Sequence, residues 1–276
     1  LKKVLQLLIS SGLLYLLWNI VRYAITGKSI PAYFHSILNI QAFINFVCFN
    51  ESNLSGHLWY LSALVYVLVI VLLLDKYNSR DRFYKLIPLL LLINIITGTY
   101  STILFGKKLS LLLSRNFLFC GLPFFLLGDA IYKTQIKLTR NSLLVIAILS
   151  VLVSTAENAL FLHIGAAFNS DCFIATPFLA TSVFMLALKS QSVSTIPILA
   201  KIARLGKTAS TTIYIIHPIV ILIMNKTVGV IANYVPWLHA VWHCTAPFVV
   251  LVVCTLLSCI FNTLQRNLRQ IKQPTA

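Results

Sequence analysis

His57-Leu-Trp-Tyr-Leu-Ser-Ala-Leu-Val-Tyr-Val-Leu-Val-Ile-Val-Leu-Leu-Leu74 runs for eighteen residues without an Asp, Glu, Lys or Arg. At about 1.5 Å per residue a helix of that length covers about 27 Å, close to the roughly 30 Å hydrocarbon core of a bilayer. A helix apolar on every side has no wet face, so it belongs in lipid or deep inside a protein. Working outward, charge clusters and Pro/Gly punctuation cut seven more such runs, at 4–24, 86–104, 117–133, 142–163, 173–188, 208–225 and 240–261. The fourth and sixth runs in chain order are the shortest. The predicted fold is all-α, a polytopic transmembrane helix bundle of about eight helices forming one membrane-embedded domain over residues 1–276.

Composition agrees. Hydrophobic residues make up 59% of the chain and charged residues 10%, against roughly 25% charged in ordinary soluble domains. A water-soluble fold is excluded on this ground, as is a soluble-type hydrolase, protease or nucleotide-hydrolysing enzyme, for which no G-x-S-x-G elbow, H-E-x-x-H, P-loop or Rossmann fingerprint is present. The net charge of +16 comes from 22 Lys and Arg against 6 Asp and Glu. These charges lie in short loops and form no dense basic block, so the predicted partner is the lipid bilayer and not nucleic acid. With the N-terminus inside, sixteen of the 22 cations fall in inside segments and six in outside ones. That bias predicts a cytoplasmic N-terminus and C-terminus in a multi-pass protein of the cell membrane. Six cysteines show neither CxxC nor a zinc-type Cys/His spacing, so no metal is expected and they read as small apolar fillers. The segment 30–55, with Asn39, Gln41, Asn45, Asn50, Glu51 and Asn53 among Phe and Ile, predicts an interfacial helix or a re-entrant loop. The chain opens Leu1-Lys2-Lys3 without an initiator Met and is expected to be a piece of a longer reading frame.

An ionisable residue inside hydrocarbon costs a few kcal/mol, roughly, on insertion scales, so each one is a functional candidate. His217, in Ser210-Thr-Thr-Ile-Tyr-Ile-Ile-His217-Pro218, falls near mid-membrane on the seventh predicted helix. Pro218 removes a backbone hydrogen bond there and frees a carbonyl near the imidazole. His217 either lines a polar cavity or is a neutral histidine bonded to a neighbouring helix. Glu157, in Ser154-Thr-Ala-Glu157-Asn158, lies toward the outer end of the fifth helix and either pairs with Arg115 or reaches the interface. His57, Trp59 and Tyr60 open the second helix at the same predicted side. Trp and Tyr there serve as membrane anchors, or with His57, Arg115 and Glu157 they bind the hydroxyls or phosphate of a polar head group. Asp129 is expected to pair with Lys133 one turn on.

Three segments, in order, resemble the acyltransferase-3 family of membrane-bound acyltransferases: Gly56-His-Leu-Trp-Tyr-Leu-Ser-Ala-Leu64, Ser114-Arg-Asn-Phe-Leu-Phe-Cys-Gly-Leu-Pro-Phe-Phe-Leu-Leu-Gly128 and Ser210-Thr-Thr-Ile-Tyr-Ile-Ile-His-Pro218. The resemblance implies about ten helices with both ends cytoplasmic. It also implies transfer of an acyl group, often acetyl, from cytoplasmic acyl-CoA to a hydroxyl of a bacterial cell-envelope carbohydrate or lipid-linked sugar, with no bound cofactor. Two family helices are then missing, and residues 1–25 look like the third. The family's first helix carries an Arg and a His about ten residues apart that serve acyl transfer, and nothing here corresponds to them. A complete chain would thus be impaired, whereas a fragment would come from an active parent. Carried over by position, His57, Trp59 and Tyr60 look like the acceptor side or its support. Arg115 resembles the Arg of the R-N-x-L-F segment, and Glu157 an acidic residue of the related helix. Tyr214 and His217 look like the Y-x-x-H element.

Acyl transfer needs a base beside the acceptor hydroxyl and donors facing the oxyanion. His217 and Glu157 are the catalytic candidates, and His57, Trp59, Tyr60, Arg115 and Tyr214 the substrate-binding ones. The competing function is a small-molecule transporter, such as the membrane half of a serine racemase with similar H-L-W-Y and G-L-P-F-F-x-L-G segments; an aqueous path past His217 and Glu157 would serve it as well.

Overall fold

The computed structural model of the chain describes residues 1–166, 172–189, 197–235 and 237–271, and among these no strand occurs. Among the described residues, six helical segments are long and apolar enough to cross a bilayer: Lys2–Ile25, Gly56–Lys76, Leu111–Thr134, Arg140–His163, Pro197–Ala232 and Trp237–Leu264. Two shorter apolar helices, Ile87–Thr97 and Thr176–Lys189, fall on the third and sixth predicted runs. Each of the eight predicted runs therefore has its helix. The chain divides into two compact units, Leu1–Ser192 and Val193–Ala276.

The first unit opens with α1 (Lys2–Ile25), followed by α2 (Ile30–Ile37) and α3 (Ile40–Phe49), a pair bent by 45°. Asn39 makes that bend. Its amide nitrogen donates to the His35 and Ser36 carbonyls at the end of α2, and its oxygen accepts from the Ala42 amide in the first turn of α3. One side chain thus caps two helices, which is what Asn does well at such junctions. Asn50 ends α3 in the left-handed region, at φ 52°.

A 3-10 turn, Gly56–Leu58, feeds α4 (Trp59–Lys76). Then come α5 (Arg80–Tyr84), α6 (Ile87–Thr97), α7 (Ser101–Phe105) and α8 (Leu111–Ser114). A π-helical turn, Phe117–Gly121, leads into α9 (Leu122–Thr134), which is followed by α10 (Arg140–His163) and α11 (Thr176–Lys189). The predicted third span is divided because the chain leaves the helix at Gly98. A Cβ there would stand 2.8 Å from the Asn94 carbonyl oxygen in the preceding turn of α6 and 3.2 Å from Ser114 Cβ of α8, so the bend requires glycine. Val67, Val71, Leu90, Leu91, Leu122 and Leu126 form the core between α4, α6 and α9. Outward, Ile148, Val151 and Leu152 of α10 are exposed apolar side chains, as a lipid-facing surface requires.

The second unit consists of α12 (Pro197–Ala232) and α13 (Trp237–Ile271), joined by a short turn. Val220, Val250 and Cys254 are buried between them, and Trp242 Nε1 donates to Asn225 Oδ1 at 2.7 Å. Helix α12 begins eleven residues before the predicted 208–225 span. Lys201, Arg204 and Lys207 halt a hydropathy run, but Lys and Arg are good helix formers and do not halt a helix. None of the six cysteines is paired in a disulfide.

Candidate active site

The Gly56-His-Leu-Trp-Tyr segment is held from three sides. Leu58 is fully buried and anchors the 3-10 turn. Asn19 of α1 donates to the Leu54 carbonyl at 2.8 Å and to the Tyr33 hydroxyl at 3.1 Å, fixing the approach to the turn. His57 is half-buried, with Nδ1 2.8 Å from Ser55 Oγ and its ring edge-on to Tyr15 at 4.8 Å. Trp59 is half-buried beside Tyr60, whose ring is exposed.

Arg115 and Asn116 stand where α8 gives way to the π-helical turn. Asn116 is buried; its Oδ1 accepts from the Leu118 and Phe119 amides, while its Nδ2 donates to the Leu112 and Leu113 carbonyls. Asn116 thereby satisfies four of the backbone groups freed by the change of helix type. Arg115 is exposed next to this fixed backbone.

Asn50 joins the two motifs. Fully buried, it accepts from the Phe117 amide at 2.6 Å and donates to the Trp59 carbonyl at 3.1 Å. Tyr66 stacks on Phe117 at 4.9 Å and donates to the Phe46 carbonyl. Nothing in the sequence marks Asn50 apart from its polar neighbours, since its role rests on contacts 9 and 67 residues away.

Glu157, expected either to pair with Arg115 or to reach the interface, has Tyr100 and Ile174 as its described partners. The Tyr100 hydroxyl donates to Oε1 at 2.6 Å, and the Ile174 amide lies 3.3 Å from both carboxylate oxygens. The end of α6 connects this carboxylate to the Arg115 region, because Asn94 donates to the Ser114 carbonyl at 2.6 Å and Thr97 to the Leu113 carbonyl at 3.4 Å. Within the first unit, Asn50 thus ties the backbone at Trp59 to that at Phe117, and Asn94 and Thr97 tie the end of α6 to the backbone just before Arg115.

Asp129 meets Lys133 at 3.7 Å as its spacing predicts, and it also accepts from Arg80 at 3.0 Å and from the Tyr84 hydroxyl at 2.6 Å. Arg80 reaches Asp75 as well. Burial opposes the Arg80 charge, but Asp129 and Asp75 together hold the guanidinium above its usual value. Burial, and then the bond to Asp129, push the Tyr84 hydroxyl up.

Tyr214 and His217 lie in the second unit, both half-buried, with rings 6.2 Å apart. His217 Nδ1 lies 2.8 Å from the Tyr214 carbonyl and 3.2 Å from that of Ile213. Tyr214 is four residues before Pro218, which has no N–H to give it, so the imidazole supplies the donor the proline withholds. Carbonyls only accept; Nδ1 therefore carries the proton, and in the neutral ring Nε2 carries the lone pair. His217 lines a cleft of about 710 Å³ between α12 and α13, with Asn225, Trp242, His239 and His243 also on its wall. The two latter histidines are one helical turn apart in His239-Ala-Val-Trp-His243, a spacing visible in the sequence but not singled out by hydropathy.

Helices long and apolar enough to cross a bilayer, with no strand among the described residues, define a multi-pass membrane protein. The model of acyltransferase family 3, an acyltransferase domain, matches residues 1–263, and the chain belongs to that family. It is a membrane acyltransferase of the kind that transfers groups other than amino-acyl groups. No curated protein and no solved structure matches the chain.

Proposed function

We propose that this acyltransferase moves an acyl group, acetyl, from cytoplasmic acyl-CoA to a hydroxyl of a cell-envelope carbohydrate or lipid-linked sugar, in the cytoplasmic membrane of a bacterium and with both chain ends in the cytoplasm. The supporting observation is the fixed tautomer of His217. With Nδ1–H held by the Tyr214 carbonyl, Nε2 is the basic atom on a residue that lines a cleft. In the proposed reaction the acceptor hydroxyl gives its proton to Nε2 as its oxygen attacks the thioester carbonyl carbon. The C–S bond then breaks, and the imidazolium returns the proton to the CoA thiolate. The thioester is already activated, so the chain's own residues need only position the groups and move one proton. Tyr214 orients the base through its carbonyl. In the first unit, His57, Trp59, Tyr60 and Arg115 are assigned to the acceptor side. Glu157, the second catalytic candidate, acts in this scheme by setting Tyr100 and the start of α11.

The test is transfer of radiolabel from acetyl-CoA to envelope sugars in membranes bearing the full-length protein. His217→Ala is expected to lower labelling by about 100-fold or more, the usual contribution of a general base, with unchanged unfolding in detergent. Unchanged labelling would make His217 a structural histidine. Substrate flux across the membrane without any labelling would favour a transporter instead.

A further inference from the structure

His239 and His243 lie on one face of α13, both exposed, with ring centroids 4.9 Å apart and planes at 48°. That spacing suits chelation. With metal–nitrogen bonds of about 2.0–2.1 Å and ring centroids about 1.1 Å further out, two imidazoles on one ion have centroids about 4.5 Å apart at a right angle and about 5.2 Å apart at the tetrahedral angle. The observed value lies between them, so the separation of the rings matches that of two imidazoles on one ion. Neutral imidazole suits zinc, copper and nickel and is poorly matched to magnesium or calcium. Among the described residues, no third His, Cys, Asp or Glu completes a cluster, so the remaining positions on such an ion would belong to water or a ligand.

Both rings line the cleft that also contains His217, with Asn225 and Trp242 bonded to each other on the same wall. Asn225 lies eight residues along α12 from His217, about 12 Å by helical rise. The histidine pair stands beside the turn joining α12 to α13, at the end of the cleft away from Cys254. We propose that His239 and His243 bind a divalent transition-metal ion, which stands across this end of the cleft. Acyl transfer does not use the ion; the site goes beyond the proposed function and does not depend on it.

The experiment is a zinc titration of the full-length protein in detergent, purified without a polyhistidine tag, read by calorimetry. One saturable zinc per chain is expected. His239→Ala and His243→Ala should each weaken it by at least about tenfold, whereas His163→Ala, at an exposed histidine in the first unit, should stay within about twofold. These substitutions fall on an exposed helix face and should leave detergent unfolding unchanged, which is checked in the same samples. Absence of a saturable site, or equal affinity in the wild type and both α13 variants, would overturn the proposal. Because binding is read and not turnover, a protein that binds zinc but transfers no acyl group would sink acyl transfer and leave the metal site standing.

Discussion

Replacing Asn50 by Ala removes the only described side chain that ties the Trp59 and Phe117 backbones together. The Phe117 amide then loses a 2.6 Å bond in a buried setting, and leaving such a donor unsatisfied costs about 1–3 kcal/mol. Asn50 also sits at φ 52°, a region that Asn tolerates and Ala does not, which adds about 1 kcal/mol. Together these predict a loss of about 2–4 kcal/mol for Asn50→Ala. Asn50→Gly accepts the backbone conformation but not the hydrogen bonds, so it should recover about 1 kcal/mol of that loss. The measurement is equilibrium unfolding of the full-length protein from mixed micelles into dodecyl sulfate, followed by helicity. Transfer activity should fall in the same order, because the two motifs joined by Asn50 are those assigned to the acceptor side. An Ala variant within about 0.5 kcal/mol of wild type, inside the range of ordinary surface changes, would refute this account. So would a Gly variant no better than Ala.

Arg115→Gln should raise the acceptor KM severalfold with little change in kcat if the exposed guanidinium holds an anionic or hydroxylated head group; steady-state kinetics with varied acceptor decides it, and an unchanged KM removes that role. A Cβ at Gly121 would stand 3.0 Å from Val67 Cγ2, so Gly121→Val should destabilise by about 2 kcal/mol or more, and Val67→Ala should restore at least half of that in the double variant. Tyr84 titrates above its ordinary value in the folded protein, so above about pH 10 the unfolded chain holds fewer protons at this site and folding stability falls as pH rises. Tyr84→Phe should shallow that alkaline decline, and identical pH profiles for the two proteins would count against the Tyr84–Asp129 bond.

The helices were legible because lipid imposes a requirement that sequence cannot hide: each span needs an uninterrupted apolar run. Their ends were less legible. Lys201, Arg204 and Lys207 interrupt hydropathy but not backbone hydrogen bonding, so α12 continues through them. The break at Gly98 comes inside an apolar run, where hydropathy gives no sign of it. Local pairings could be read in advance, as with Asp129 and Lys133 four residues apart. Distant ones could not: Arg80 reaches Asp129 across 49 residues, and Tyr100 reaches Glu157 across 57. Pro218 announced a freed carbonyl near His217, but only the fold shows that the imidazole itself fills the gap.

Helix α12 has 36 residues and so a length of about 54 Å, well beyond the roughly 30 Å of hydrocarbon. Its charge-free stretch lies between Lys207 and Lys226, nineteen residues and about 28 Å apart, with His217 near the middle. Both lysines are exposed, and with the stretch between them across a bilayer they would stand as clamps at its two interfaces and oppose sliding of the helix along its axis. A bilayer a few ångströms thicker would have to thin locally or draw one clamp into the acyl chains. The fatty-acid length of the surrounding lipids thereby becomes a setting for the depth at which His217 lies.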